Sequence, residues 1–65
     1  MSKRMTPITP DAIRAARTRL GLTQAQLADR LNVPSNTVAR WEQGNRTPTG
    51  LYAQALRQLI EETSR

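Results

Sequence analysis

"LTQAQLADRLNVPSNTVARWEQG", residues 22–44, reads as two short helices with barely a turn between them. Thr23 and Gln26 stand three apart, the spacing of a capping box in which each side chain satisfies the other's free backbone amide. Leu22 and Leu27 bracket that box as a hydrophobic staple, and Leu27, Ala28 and Leu31 continue one helical face. "NVP" then breaks the helix, because proline disfavours helical backbone in the residue before it. Only a tight turn fits in that space. A second helix follows, with Val38 and Trp41 three apart on its inner face and Gly44 at its end. Such a pair is a helix-turn-helix if the second helix is aimed outward, and a plain structural hairpin if it is not.

Upstream, "TPDAIRAARTRLG" begins a helix with Thr9 as N-cap, Pro10 at its first position and Asp11 complementing the dipole. Ile13, Ala16, Arg17 and Leu20 share a face, and Gly21 ends it. Residues 1–8 show no periodicity and carry Lys3 and Arg4, which reads as a flexible basic arm ahead of a domain over 9–63. Downstream, "NRTP" is a loop. Thr47 or Thr49 caps a last helix, with Pro48 near its start and an apolar stripe of Leu51, Tyr52, Ala55, Leu56, Leu59 and Ile60. Nothing reads as a strand. The expected architecture is all-α, a compact bundle of four to five helices.

Sixty-five residues make one domain that buries only about 60 % of its unfolded surface, with no room for a deep substrate cleft or a cofactor fold. Cysteine and histidine are both absent, which removes disulfides, thiolate metal sites and the commonest base and metal ligand. The carboxylates Asp11, Asp29, Glu42, Glu61 and Glu62 are scattered over different helices, without a glycine-rich phosphate loop. This argues against catalysis, and no cofactor is expected. No apolar run is long enough to span a membrane, and "MSKRM" lacks a signal-peptide core, so the cytoplasm is the expected location. The net charge is +5, and nine of the ten basic residues are Arg, whose planar fork suits phosphate and base edges. Such a balance points to nucleic acid first and an anionic membrane surface second, with plain solubility the bland alternative.

The outward side of the 35–43 helix carries Asn36 and Arg40, one turn apart, with Ala39 and Gln43 beside them. Ordinary surface helices place Glu and Lys there. Asn can bond adenine N6 and N7 together, and Arg can bond guanine O6 and N7 together, so the two could address neighbouring base pairs from the major groove. The competing reading is a pair of solvated polar side chains. Trp41 could be a stacking platform for single-stranded bases, but Val38 on the same face favours core packing.

At these residues the chain resembles the phage repressor and Cro helix-turn-helix family, also called XRE-like. The likeness runs over about residues 11 to 60 and rests on "RTRLGLTQ", on "LA" within the second helix and on "WEQGNRTP" closing the third. It implies a lambda-repressor-like DNA-binding domain. It also implies base contacts by Ser35, Asn36 and Arg40, and phosphate contacts by Thr23, Gln24, Thr37, Asn45 and Arg46. Arg17 and Glu42 match a family pair that ties the first helix to the third. Arg14 and the Lys3–Arg4 arm are further cations available to the backbone. Pro34 stands where a polar capping residue is usual, which would delay the third helix by a residue, and Ser35 is short where many relatives carry a long amide.

The resemblance implies a regulator of transcription, a repressor, bound to a palindromic double-stranded operator as a homodimer. The alternative is an antitoxin-type or other module that binds a partner protein. Met1 is expected to be a natural start, and, because the sequence stops soon after the fourth helix, a ligand-sensing domain is not expected.

Overall fold

Four helices account for the fold: α1 Pro10–Arg19, α2 Gln24–Leu31, α3 Ser35–Gln43 and α4 Gly50–Thr63. The computed structural model describes residues 7–64, and no strand occurs among them. Lys3 and Arg4 lie outside the described residues. Each start follows local chemistry. Thr9 Oγ1 accepts the Ala12 N–H at 3.0 Å, and Pro10 occupies the position where a missing N–H costs nothing. Around α2 the capping box is complete: Gln26 N–H donates to Thr23 Oγ1 at 3.0 Å, and Thr23 N–H donates to Gln26 Oε1 at 2.9 Å. Pro34 supplies no side-chain cap, yet α3 begins at Ser35 without delay, with Thr37 N–H returning to the Pro34 carbonyl at 2.9 Å. Proline's fixed φ of −63° is compatible with that N-cap geometry.

The stops of α1, α2 and α3 share one device. After α1, Leu22 N–H reaches back to the Arg17 carbonyl and Gly21 N–H to Thr18, with Gly21 at φ +71°. After α3, Asn45 N–H bonds the Arg40 carbonyl while Gly44 sits at φ +80°. Both are Schellman turns, and the left-handed residue in each is glycine because a Cβ would be strained there. The turn between α2 and α3 repeats the pattern with Asn32 at φ 62°, Val33 N–H bonding Ala28 O at 2.9 Å. "NVP" thus ends α2 by a left-handed asparagine as well as by proline. Asn32→Ala should lose about 1 kcal/mol in thermal unfolding, whereas Asn32→Gly should stay within about 0.5 kcal/mol.

The core is Ile13, Ala16, Leu27, Ala28, Val38, Trp41, Leu56 and Ile60, with Leu22, Leu31, Val33 and Leu59 packed against it. Leu22 and Leu27, the staple residues, therefore both face inward. α2 packs on α3, and α1 on both α3 and α4. Three details differ from the sequence reading. Ile8, placed in the arm, is half-buried against the core. Leu20 is 37 % exposed, because α1 ends at Arg19 and its last apolar position runs past the packed face. Thr49 is the N-cap of α4 but makes no side-chain bond, and Pro48 lies buried ahead of the helix.

Candidate nucleic-acid interface

Val38 and Trp41 decide which way α3 faces. Val38 is fully buried and Trp41 is 3 % exposed. Trp41 meets Tyr52 of α4 with ring centroids 6.1 Å apart and planes tilted by 46°, a favourable aromatic arrangement. Its ring is core, and no base could stack on it. The opposite side presents Ser35, Asn36, Arg40 and Gln43, all exposed, with Thr37 and Ala39 half-buried beside them. Among the described residues, the side chains of Ser35, Asn36 and Arg40 have no hydrogen-bond or ion-pair partner. The helix is nailed down from behind and open in front.

The loop after α3 is fixed to the same helix. Asn45 and Arg46 both donate their backbone N–H to the Arg40 carbonyl, at 3.0 and 3.3 Å. Asn45 Nδ2 also donates to Gln43 Oε1 at 3.0 Å, so the Gln43 carboxamide is oriented with its nitrogen free. The backbone at Asn45 and Arg46 therefore keeps a set position relative to the α3 face, with both side chains exposed.

Behind the α3 flank lies a buried polar centre. Glu42 is 3 % exposed, and its carboxylate takes a fork from Arg17: Nε to Oε2 at 2.7 Å and Nη2 to Oε1 at 3.1 Å. Arg17 Nη1 also donates to the Leu22 carbonyl at 2.9 Å, tying in the α1–α2 turn. Gln24 Nε2 donates to Glu42 Oε1 at 3.0 Å, and Arg14 Nε stands 3.7 Å from the same oxygen. One carboxylate thus joins α1, α2 and α3. Burial pushes the Glu42 carboxyl upward, but the bonds from Arg17 and Gln24, with the charges of Arg17 and Arg14, outweigh it and hold it below the usual carboxylate range. The Arg17 guanidinium is raised by its bond to Glu42 against the opposing effect of burial.

The predicted site residues therefore fall into three places. Ser35, Asn36, Thr37 and Arg40 lie on α3, Asn45 and Arg46 in its loop, and Thr23 and Gln24 at the start of α2. The pairing of Arg17 with Glu42 is present, but Gln24, read as a phosphate ligand alone, is also bonded to Glu42. That contact joins residues eighteen positions apart, and no local pattern signals it. Arg14 beside the same carboxylate was likewise visible only as a loose cation.

A helix-turn-helix family model matches residues 13–63, from the middle of α1 to the end of α4. The chain belongs to the Cro/C1-type helix-turn-helix family. No curated protein and no solved structure matches it. As a Cro/C1-type protein it is a DNA-binding regulator, with α2 and α3 as its helix-turn-helix. No helix among the described residues of this Cro/C1-type domain is long and apolar enough to cross a membrane. Nor do those residues contain a group of three or more His, Cys, Asp or Glu that could hold a metal ion.

Proposed function

We propose that the protein is a sequence-specific regulator that reads the major groove of double-stranded DNA with α3, and that it represses. The observation that carries this is the pair Asn36 and Arg40, exposed and without a side-chain partner among the described residues, on a helix whose other side is sealed in the core. Ser35 would reach a base edge only at the N-terminal end of that face. Backbone contacts come from Thr23, Gln24, Thr37, Asn45 and Arg46. The Thr23 oxygen accepts from Gln26, which leaves its hydroxyl hydrogen to donate to a phosphate. Lys3 and Arg4, ahead of the domain over 9–63, add positive charge to it. Repression asks least of so small a domain, since occupying a promoter is enough to block it. Working on DNA, it shares the DNA's compartment, the cytoplasm of a cell without a nucleus.

One such helix reads only a few base pairs, so the working form is a homodimer on a palindromic operator with half-sites about 34 Å apart. Leu56 lies in the core and Leu59 is half-buried, which leaves Leu51, 79 % exposed, and Tyr52, 43 % exposed, as the apolar edge for the contact. That edge is small, so the free protein should be a monomer at micromolar concentration and pair on the operator. The same edge would serve a partner protein in the antitoxin-type reading. Sedimentation with and without operator separates these readings: a 2:1 complex with DNA is the expected result, and a 1:1 complex on a non-palindromic site overturns the dimer. If each subunit neutralises about three phosphates, the log–log salt slope of binding should be about −5. A slope near zero would remove nucleic acid as the main partner.

A further inference from the structure

Two guanidinium groups approach one carboxylate at Glu42, and only one of them is needed there. Arg17, with its side chain 17 % exposed, satisfies both oxygens with its fork. Arg14 stands off at 3.7 Å with 55 % of its side chain exposed, and its Nη2 makes a long 3.4 Å contact to the Glu42 carbonyl. A contact so long and so exposed adds little to folding. It does, however, place the guanidinium beside the Glu42 carboxylate. Counting charges, Arg14 and Arg17 against Glu42 leave one positive charge in excess, and since the carboxylate is sealed the excess faces solvent through Arg14.

Gln24 approaches from the other helix. Its Nε2 gives one hydrogen to Glu42 Oε1 at 3.0 Å, and a carboxamide nitrogen carries a second. Arg14 Nε and Gln24 Nε2 approach the same oxygen, so a neutral donor and a surplus cation stand side by side. Their seat cannot move without disturbing the α1–α3 pairing.

We propose that Arg14 and Gln24 form a single cradle for one DNA phosphate, with Glu42 as the positioning residue that seats both. The ligand is a phosphodiester: its oxygens accept the free Gln24 N–H and the Arg14 guanidinium, a charge-assisted contact. This rests on the reading that double-stranded DNA is the partner. It adds to that reading a cation on α1 and a second role for Glu42, which then serves the DNA contact as well as the fold.

The test uses the full chain and a random-sequence duplex, because phosphate contacts are indifferent to sequence. Affinity is measured against salt for the unmodified protein, Arg14→Ala, Gln24→Ala and the double variant. Arg14→Ala should weaken binding about tenfold and make the salt slope shallower by about one. Gln24→Ala should weaken binding with the slope unchanged, since it removes no charge. The double variant should lose less than the product of the two, because both donors serve one phosphate. Glu42→Gln, measured at a temperature where its own melting curve shows it folded, should weaken the unmodified protein but not the double variant. If it does not fold, the Arg14/Gln24 cycle decides alone. A steep salt slope that Arg14→Ala leaves unchanged, or losses that simply multiply, overturns the cradle while leaving DNA binding intact. A slope near zero in the unmodified protein would sink the DNA reading itself.

Discussion

Arg17→Ala should destabilise the fold by about 3 kcal/mol and Glu42→Ala by about 3–5 kcal/mol, each leaving a charged partner short of its counterpart in a buried site. A domain of this length commands only about 3–10 kcal/mol in total, so either variant should lose a large share of its stability and unfold at a markedly lower temperature. The Arg17 figure falls at the low end for a structural reason. Arg14, already 3.7 Å from Glu42, can move in when Arg17 is gone, and Gln24 keeps its bond. The double variant should lose much less than the sum, since the second removal takes away a group the first had orphaned. Additive losses in chemical denaturation would mean that the pair does not hold in solution. The same centre sets an acid limit. Because the folded Glu42 carboxyl is held below its ordinary value, its stabilisation is complete above the unfolded carboxylate value of about 4.3 and is lost as the pH falls through the lower, folded value. Glu42→Gln should start less stable and show a flatter acid limb.

The parts of this fold that could be read in advance are those set by neighbours in the chain. Thr23 and Gln26 satisfy each other across three residues, so the start of α2 needs no tertiary information. Gly21 and Gly44 mark left-handed turns for the same local reason. Val38 and Trp41 were legible because a helix of nine residues has only one apolar side to bury. Asn32 is not read as a stop from the sequence, because the break is assigned to Pro34, although asparagine is the residue that most often replaces glycine at a left-handed position. What remained hidden was which polar residue meets which. Gln24 reads from the sequence only as a phosphate contact, and it is the packing of α2 on α3 that brings it to Glu42. The α4 stripe likewise gave no way to tell the buried Leu56 from the exposed Leu51, because both are leucines at apolar spacing.

Arg40→Ala should weaken operator binding by about 1–3 kcal/mol and do so unevenly, relaxing preference at one base pair in each half-site. A guanine is the expected partner, because the guanidinium fork matches O6 and N7 together. The structure gives Arg40 no competing employment: it is exposed, one turn from Asn36, and its side chain has no partner among the described residues. Asn36→Ala should behave alike at a nearby adenine. Arg30→Ala, which removes the same charge from the exposed last turn of α2, is the control and should change little. The alternative for Arg40 is a phosphate contact, whose loss would weaken every sequence equally and make the salt slope shallower by about one.

The central claim, that α3 reads base edges, is tested most directly by binding selections on randomised duplexes with the unmodified protein and Arg40→Ala. The expected result is a two-fold symmetric site from the unmodified protein, and from the variant the same site with one position per half made indifferent. An unchanged set of preferences with uniformly weaker binding would contradict base readout by Arg40.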